Sequence, residues 1–231
     1  MIKRLAIIPA RGGSKRIKGK NLKRINNKQL LSYSLEAAIK SNIFSKIHVS
    51  SDNQKILKLA ESFNIKTDFV RTKNLSNDSC PLWDVIEYVV KTYLKNDLKF
   101  DEVWLIYATN PFISSKTILE CKKIFNKGSG KKPLMTVAKY NQPPEWALIV
   151  DKNGLLKPLF HDKLKIRSQD LTTKYCDAGM LTVYPSNFFY KKKPHMYKYT
   201  PYILSANKSV DIDDMDDFSL AKKLLTVKNV N

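Results

Sequence analysis

The stretch from Ile7 to Asn21, "IIPARGGSKRIKGKN", decides how the rest of the chain is read. An apolar run stops at Pro9. Gly12, Gly13 and Gly19 then follow among Arg11, Lys15, Arg16, Lys18 and Lys20. The whole chain of 231 residues has only seven glycines. Three of them so close together mark a backbone that must approach something closely. A hairpin turn needs one glycine and none of the charge. A site for a polyanion needs both, because bare amides come near a phosphate and cations neutralise it.

Outward from this loop, strand-like and helix-like segments alternate. Residues 4–10 read as a buried strand. Residues 29–41 have helical spacing, with Leu30, Leu31, Leu35, Ala38 and Ile39 on one face. A second strand at 46–52 ends in Ser50, Ser51 and Asp52, and a helix at 53–63 is capped by Asp52 or Asn53. The pattern continues with a short strand at 66–72, an amphipathic helix at 81–94, a strand at 101–108, a helix at 117–125 and a strand at 133–140. This order predicts an α/β domain with a mostly parallel sheet and helices on both faces. Sites in such sheets lie beyond the carboxyl ends of the strands. Arg11 to Lys20, Ser50 to Asp52 and Thr109 to Pro111 all fall there.

From about Asn141 the pattern changes. Residues 147–160 read as two short strands around a Lys152-Asn153-Gly154 turn. Residues 175–189 hold another strand, and 209–225 a strand tip, an acidic cluster and a last helix. The run Lys191-Lys192-Lys193 reads as a solvated loop. No repeat and no low-complexity linker divides the chain, so residues 1–231 are expected to form one domain.

The formal net charge is +20, from 41 Lys and Arg against 21 Asp and Glu. Arginine is rare: Arg4, Arg11, Arg16, Arg24, Arg71 and Arg167. A nucleic-acid reader favours arginine for its two-pronged hydrogen bonds. Lysines spread along the whole chain read instead as solvated surface that also draws anionic substrates. An RNA-binding module is the alternative from another class, and it leaves the opening loop unexplained.

No apolar run approaches the ~20 residues that span a bilayer. The "IKRLAII" after Met1 is shorter than a secretory apolar core. Cys80, Cys121 and Cys176 are odd in number and far apart, and read as free thiols in a reducing compartment. None shares a local pattern with His48, His161 or His195 that would make it a nucleophile. A cytoplasmic protein without membrane or nucleic-acid partners is the expectation.

The loop matches neither the Walker A pattern nor the Gly-x-Gly-x-x-Gly dinucleotide fingerprint. What remains is a strand-to-helix loop whose Gly12, Gly13 and Ser14 let amides approach a phosphate, with Arg11, Lys15 and Lys20 to neutralise a triphosphate. A second constellation lies in "VDIDD" (210–214). Asp211 and Asp213, two apart, project to one face of an extended segment. Such a pair attracts Mg²⁺, which takes phosphate oxygens and waters as further ligands. Asp214, Asp216 and Asp217 read in part as charge at a helix N-terminus. A cationic Gly-rich loop with a magnesium-ready pair points to nucleotidyl transfer, which rests on positioning, charge neutralisation and metal.

These residues carry a family resemblance. "IIPARGGSKRIKGKN" resembles the signature of the nonulosonate cytidylyltransferases, the CMP-sialic acid synthetase family. The resemblance continues through "VSSD" (49–52), Arg71 in "FVRT", "RSQDL" (167–171) and "VDID" (210–213), and so covers almost the whole chain. Within the family, "YATNPF" (107–112) and "RSQDLTTKYCDAGM" (167–180) are similar to the pseudaminic acid branch. Asn110 stands where that branch has a small residue, Met180 where it has Gln, and "KNLSNDSCPLWD" (73–84) is a loose version of the family's Leu-Ala-x-Asp-x-Thr segment.

The resemblance implies a three-layer, Rossmann-like nucleotide-diphospho-sugar transferase fold. It implies a reaction of CTP with a nine-carbon nonulosonic acid, giving the CMP-sugar and pyrophosphate with Mg²⁺ as cofactor. Pseudaminic acid is the substrate it points to first; N-acylneuraminate and legionaminate are the near alternatives, and 3-deoxy-manno-octulosonate a more distant one. Arg11, Gly13, Ser14, Lys15 and Lys20 are implied for the triphosphate, and Ala10, Gly12 and Asn21 for the cytosine and ribose. Arg71 would fix the nucleotide. Asp211 and Asp213 would hold the metal. Tyr107, Thr109, Arg167 and Gln169 would face the sugar acid, and Lys20, Arg167 and Asp211 would be catalytic. Residues 141–176 are implied to form an arm that packs on a partner subunit, making a homodimer with Arg167 near its interface.

Overall fold

The computed structural model describes residues 2–190 and 198–228; the Lys191–Lys193 run and His195 lie outside them. The elements run β1 (Arg4–Pro9), β2 (Arg24–Ile25), β3 (Lys28–Gln29), α1 (Leu30–Ser41), β4 (Lys46–Ser50), α2 (Gln54–Ser62), α3 (Leu82–Lys95), β5 (Glu102–Ile106), α4 (Ser115–Lys127) and β6 (Leu134–Lys139). They continue with β7 (Leu148–Val150), β8 (Leu156–Pro158), β9 (Tyr175–Pro185), α5 (Asn187–Tyr190), β10 (Thr200–Leu204) and α6 (Met215–Lys228).

Six strands form the main sheet in the order β10-β6-β9-β5-β1-β4. β1 pairs parallel with β4 and β5, and β10 parallel with β6. β9 runs antiparallel to both of its neighbours, β5 and β6. The mostly parallel sheet expected from the alternation is therefore present, with one reversed strand inside it.

The period-2 alternation of a strand divides its side chains between two faces, and the core obeys it. Ala6 and Ile8 of β1 join Trp104 and Ile106 of β5 on one face, under α1, α2, α4 and α6. Leu5 and Ile7 join Val103 and Leu105 on the other, under α3 and α5. These three layers bury β1 on both faces, which is why it reads as a continuous apolar run. Among the described residues no helix is long and apolar enough to cross a membrane.

Two expectations fail. Residues 66–72 form no strand. Phe69 leaves the sheet direction to pack against His48 and Tyr93, and Asp68 turns to accept from the Tyr93 hydroxyl at 2.6 Å. The segment keeps a single backbone tie to β4's end, Arg71 N to Ser51 O at 2.9 Å. Residues 209–212 likewise form no strand tip, although Ile212 N donates to Thr109 O at 3.1 Å and so holds the acidic segment against the sheet. β10 is an element that periodicity missed; it is a half-exposed edge strand containing Pro201.

Residues 141–174 leave the main sheet, and the chain rejoins it at Tyr175 and Cys176, which pair with Lys139 and Ala138 of β6. β7 and β8 form an antiparallel hairpin whose Gly154 turns at φ 78°. Val150, Leu155 and Leu156 on it are each about two-thirds exposed, at 66%, 65% and 66%. Trp146 ties the arm to itself by donating its indole N–H to Ile166 O at 3.1 Å.

Candidate active site

The loop after β1 is fixed by its own backbone. Ala10 N–H donates to Ser50 O at 2.9 Å and Gly12 N–H to Asp52 Oδ1 at 2.9 Å. Those donors, expected to face a nucleotide, are already engaged; Gly12 O in turn accepts from Ser14 N at 3.1 Å, so of the two residues Ala10 has its carbonyl to offer. A Cβ at Gly12 would come within 2.7 Å of Asn53, whose side chain caps α2, so a glycine is required for the loop to lie this close. Gly13 has open space around it. Asn21, 5% exposed, donates from Nδ2 to Arg11 O at 3.0 Å and closes the loop on itself.

β2 and β3 then return the chain to α1 through Asn26 and Asn27, at φ 48° and 63°. Such positive values at both central residues are those of a tight hairpin turn.

At the carboxyl ends of β1, β4 and β5 lies a cleft of about 280 Å³. Arg11, Ser14, Arg16, Lys20, Asn21, Arg71, Thr109 and Asp213 all line it, from segments nearly 200 positions apart in sequence. Lys20 makes the join: its Nζ donates to Ile212 O at 2.6 Å and lies 3.3 Å from Asp213 Oδ1. Arg16 reaches the same oxygen at 3.0 Å. Arg71 is buried, and its guanidinium holds Leu75 O, with Nε at 2.8 Å. Lys15 stands at the rim, where Asp78 Oδ2 is 2.5 Å away.

The acidic segment separates into two jobs. Asp214 and Asp217 cap α6: Asp214 Oδ1 accepts from Asp216 N and Asp217 N, both at 3.0 Å, and Asp217 Oδ2 accepts from Asp213 N at 2.9 Å. That reciprocal cap satisfies the helix's first amides and leaves Asp211 and Asp213 for other work. Gly179, at φ 56°, passes so near Asp211 that an added Cβ would lie 2.3 Å from its Oδ2.

Burial pushes the Asp211 carboxyl above the ordinary carboxylate range; Asp213 and Asp177 push the same way, while Thr109 and Lys20 oppose. Asp211 Oδ1 is buried without a hydrogen-bond partner. A buried carboxylate oxygen that no donor satisfies, next to a second carboxylate, is chemistry that suits a hard divalent cation. The residues therefore fit a hard divalent cation of the magnesium kind. Among the described residues no group of three or more His, Cys, Asp or Glu is arranged around a metal, so the other ligands would be phosphate oxygens and water.

Tyr107 and Thr109 follow β5 at the Asp211 side of the cleft. Tyr107 OH lies 3.5 Å from Asp177 Oδ2, and burial first, then Asp177 and Asp211, pushes its phenol well above the ordinary range. Arg167 and Gln169 are placed elsewhere. Both sit on the arm, outside the residues that line the cleft; Arg167 pairs with Asp170 at 2.9 Å and Gln169 borders a separate hollow with Tyr140 and Pro143.

Asp52 stands at the site end of the sheet as the sequence indicates, whereas Asp78 and Asp177 are site residues that sequence reading does not single out. Asp78 lay in the loosely matched segment 73–84 and Asp177 in the Asp-Ala-Gly run. Neither has a spacing that signals chemistry; their importance comes from the tertiary contact. The three cysteines are free, as expected.

Comparisons with known proteins give the family and the fold. The family model described as "Cytidylyltransferase" matches residues 5–227. The chain is 33% identical over 232 residues to the pseudaminic acid cytidylyltransferase of Campylobacter jejuni, covering 99% of this chain and 98% of that protein. It is 30% identical over 226 residues to the CMP-N,N'-diacetyllegionaminic acid synthase of Legionella pneumophila, covering 96% and 95%. Among solved structures, CMP:2-keto-3-deoxy-manno-octonic acid synthetase complexed with CTP superposes with a TM-score of 0.70 at 15% identity, over 98% of this chain and 99% of that one, and so has the same fold.

Proposed function

The chain belongs to the cytidylyltransferase family, and from that premise we propose that it activates a nonulosonic acid, pseudaminic acid first, with CTP to give the CMP-sugar and pyrophosphate. The observation that carries the proposal is the single cleft shared by the cationic loop and the aspartate segment. Arg11, Ser14, Lys15 and Lys20 receive the triphosphate, with Gly13 giving its backbone room. Asn21 and the carbonyl of Ala10 face the nucleoside, and Gly12 lets the loop lie close enough to do so. Arg71 holds the wall of the cleft through Leu75 O.

The anomeric hydroxyl oxygen forms its bond to the α-phosphorus as its O–H bond breaks and the proton passes to water, and the bond from that phosphorus to the bridging oxygen breaks to release pyrophosphate. Lys20, 13% exposed, keeps a fixed positive charge beside this centre. A preoriented cation in a partly dry site stabilises charge that grows in the transition state. Asp211 and Asp213 would hold magnesium, which when bound supplies Lewis-acid neutralisation of the phosphate charge.

Tyr107 and Thr109 line the sugar end. Asp177 extends it with a carboxylate suited to hydroxyl or amide N–H donors. Arg167 and Gln169 act from the arm. Its exposed aliphatic hairpin supports a homodimer in which Arg167 of one subunit approaches the sugar acid of the other, where a guanidinium suits a carboxylate. This is a soluble biosynthetic reaction, in keeping with a cytoplasmic location and with neither nucleic acid nor membrane as partner.

The test is pyrophosphate release with CTP and a panel of nonulosonic acids. Pseudaminic acid should give the highest kcat/KM. Turnover with N-acylneuraminate or legionaminate alone would reassign the sugar, and no release with any of them would overturn the proposal.

A further inference from the structure

The triphosphate cradle is not bare. Asp78 Oδ1 lies 2.6 Å from Arg11 Nη1, and Asp78 Oδ2 lies 2.5 Å from Lys15 Nζ. One carboxylate thus spans two of the cations that the reading above gives to the nucleotide, and it sits on the wall of the same cleft. Its carboxyl is held below the ordinary range, with the Lys15 hydrogen bond the largest cause. The segment that carries it, Asn77 to Cys80, lies between a short helical turn at Lys73–Leu75 and the start of α3. Its upstream end is anchored by Arg71, which holds Leu75 O. Asp78 is itself exposed, at 41% of its side chain, so its loop can swing outward without opening the core.

We propose that Asp78 is a built-in counter-ion that occupies the phosphate cradle of the free protein and that the triphosphate must displace. The inference rests on the assignment of Arg11 and Lys15 to phosphate. Two carboxylate oxygens on two cations imitate two phosphate oxygens, so Asp78 and a polyphosphate cannot both hold the pair. The protein is competent to bind polyphosphate only in the fraction of molecules whose Asp78 has let go. Every ligand that uses Arg11 and Lys15 is weakened by that same fraction. A ligand that touches only the nucleoside end is not weakened at all.

The device has a use in turnover. Pyrophosphate, the product, leaves cations that would otherwise retain it, and Asp78 takes its place. In a chain of net charge +20, it also screens the cradle from adventitious anions.

Asp78→Asn keeps the side chain's size and removes its charge; Asp78→Ala removes its hydrogen bonds as well. Calorimetric titration of both variants and wild type with tripolyphosphate, pyrophosphate, CTP and cytidine in metal-free buffer tests the idea. Two exposed ion pairs are given up, so tripolyphosphate, pyrophosphate and CTP should each bind about three- to tenfold tighter in both variants. Cytidine should bind as it does to wild type, a selectivity that a merely structural role for Asp78 would not produce. Unchanged or weaker tripolyphosphate binding in the variants would overturn the inference, as would an equal gain for cytidine. The assignment of the site to CTP fails separately, if wild type binds tripolyphosphate but binds CTP no better.

Discussion

Replacing Gly179 by alanine strikes the aspartate pair without touching either aspartate. Gly179 has φ 56°, a left-handed conformation that costs a residue with a Cβ about 1–2 kcal/mol. The new methyl would lie 2.3 Å from Asp211 Oδ2 and 2.6 Å from its Cγ, where ordinary contact begins at 3.4 Å. The carboxylate must therefore move by roughly 1 Å, and relief of such overpacking costs about 1–3 kcal/mol more. The total, about 2–5 kcal/mol, lowers Tm by about 5–15 °C in a chain of this length.

A 1 Å displacement at a reacting centre costs about 10²-fold in rate, so kcat for pyrophosphate release should fall by about that factor. Gly154→Ala is the control. Its φ is 78°, but nothing lies within 4 Å of the added methyl. It carries the backbone cost of about 1–2 kcal/mol alone and should keep wild-type kcat. Differential scanning calorimetry and a coupled pyrophosphate assay on both variants read the two quantities. Gly179→Ala with wild-type kcat, or with a Tm loss no larger than that of Gly154→Ala, would refute the placement of Asp211.

Three further outcomes are expected. Lys20→Ala should lower kcat/KM for CTP by about 100-fold, the usual loss when one fixed charge stabiliser is removed from a transition state; a steady-state titration with CTP reads it, and unchanged kinetics would leave Lys20 only the structural role of holding Ile212 O. Asp177→Asn should raise KM for the sugar acid by about tenfold while leaving CTP affinity alone, since one hydrogen bond to a charged acceptor is weakened; an effect on CTP instead would move Asp177 to the nucleotide end. His48 is 2% exposed, and burial pushes its imidazole down to about 4. The unfolded chain takes up that proton near pH 6.5 and the folded one does not, so stability should fall by about 3 kcal/mol as pH drops from 6.5 to 4. Urea midpoints across this window should fall less steeply in His48→Gln; an equal slope would place the acid sensitivity elsewhere.

The layered fold was legible because its signals are local. β1 reads as apolar since both its faces are covered, and α2 was bounded by Asn53, whose side chain accepts from Lys55 N and Ile56 N. The segment at 66–72 misled because the residues that favour strands also suit any extended chain that packs locally. There Phe69 and Asp68 bind laterally to Tyr93, and a ladder partner never forms. The reversal of β9 between β5 and β6 has no sequence signature, because strand direction is set by what the whole chain can connect.

Of the candidate site, the loop and the aspartate pair were legible from residue type and spacing. Asp78 and Asp177 were not: an isolated aspartate in a polar loop carries no pattern, and its role arises from the groups folding sets beside it. Resemblance assigns Arg167 and Gln169 to the sugar site; in the single chain they stand on the arm, outside the residues that line the cleft.

The most direct test of the shared cleft is calorimetric binding of CTP, with and without Mg²⁺, to wild type, Arg11→Ala and Asp211→Asn. The account predicts that Arg11→Ala weakens CTP under both conditions, while Asp211→Asn removes only the part of the affinity that magnesium adds. Magnesium dependence that survives intact in Asp211→Asn, or CTP binding indifferent to Arg11, would contradict it.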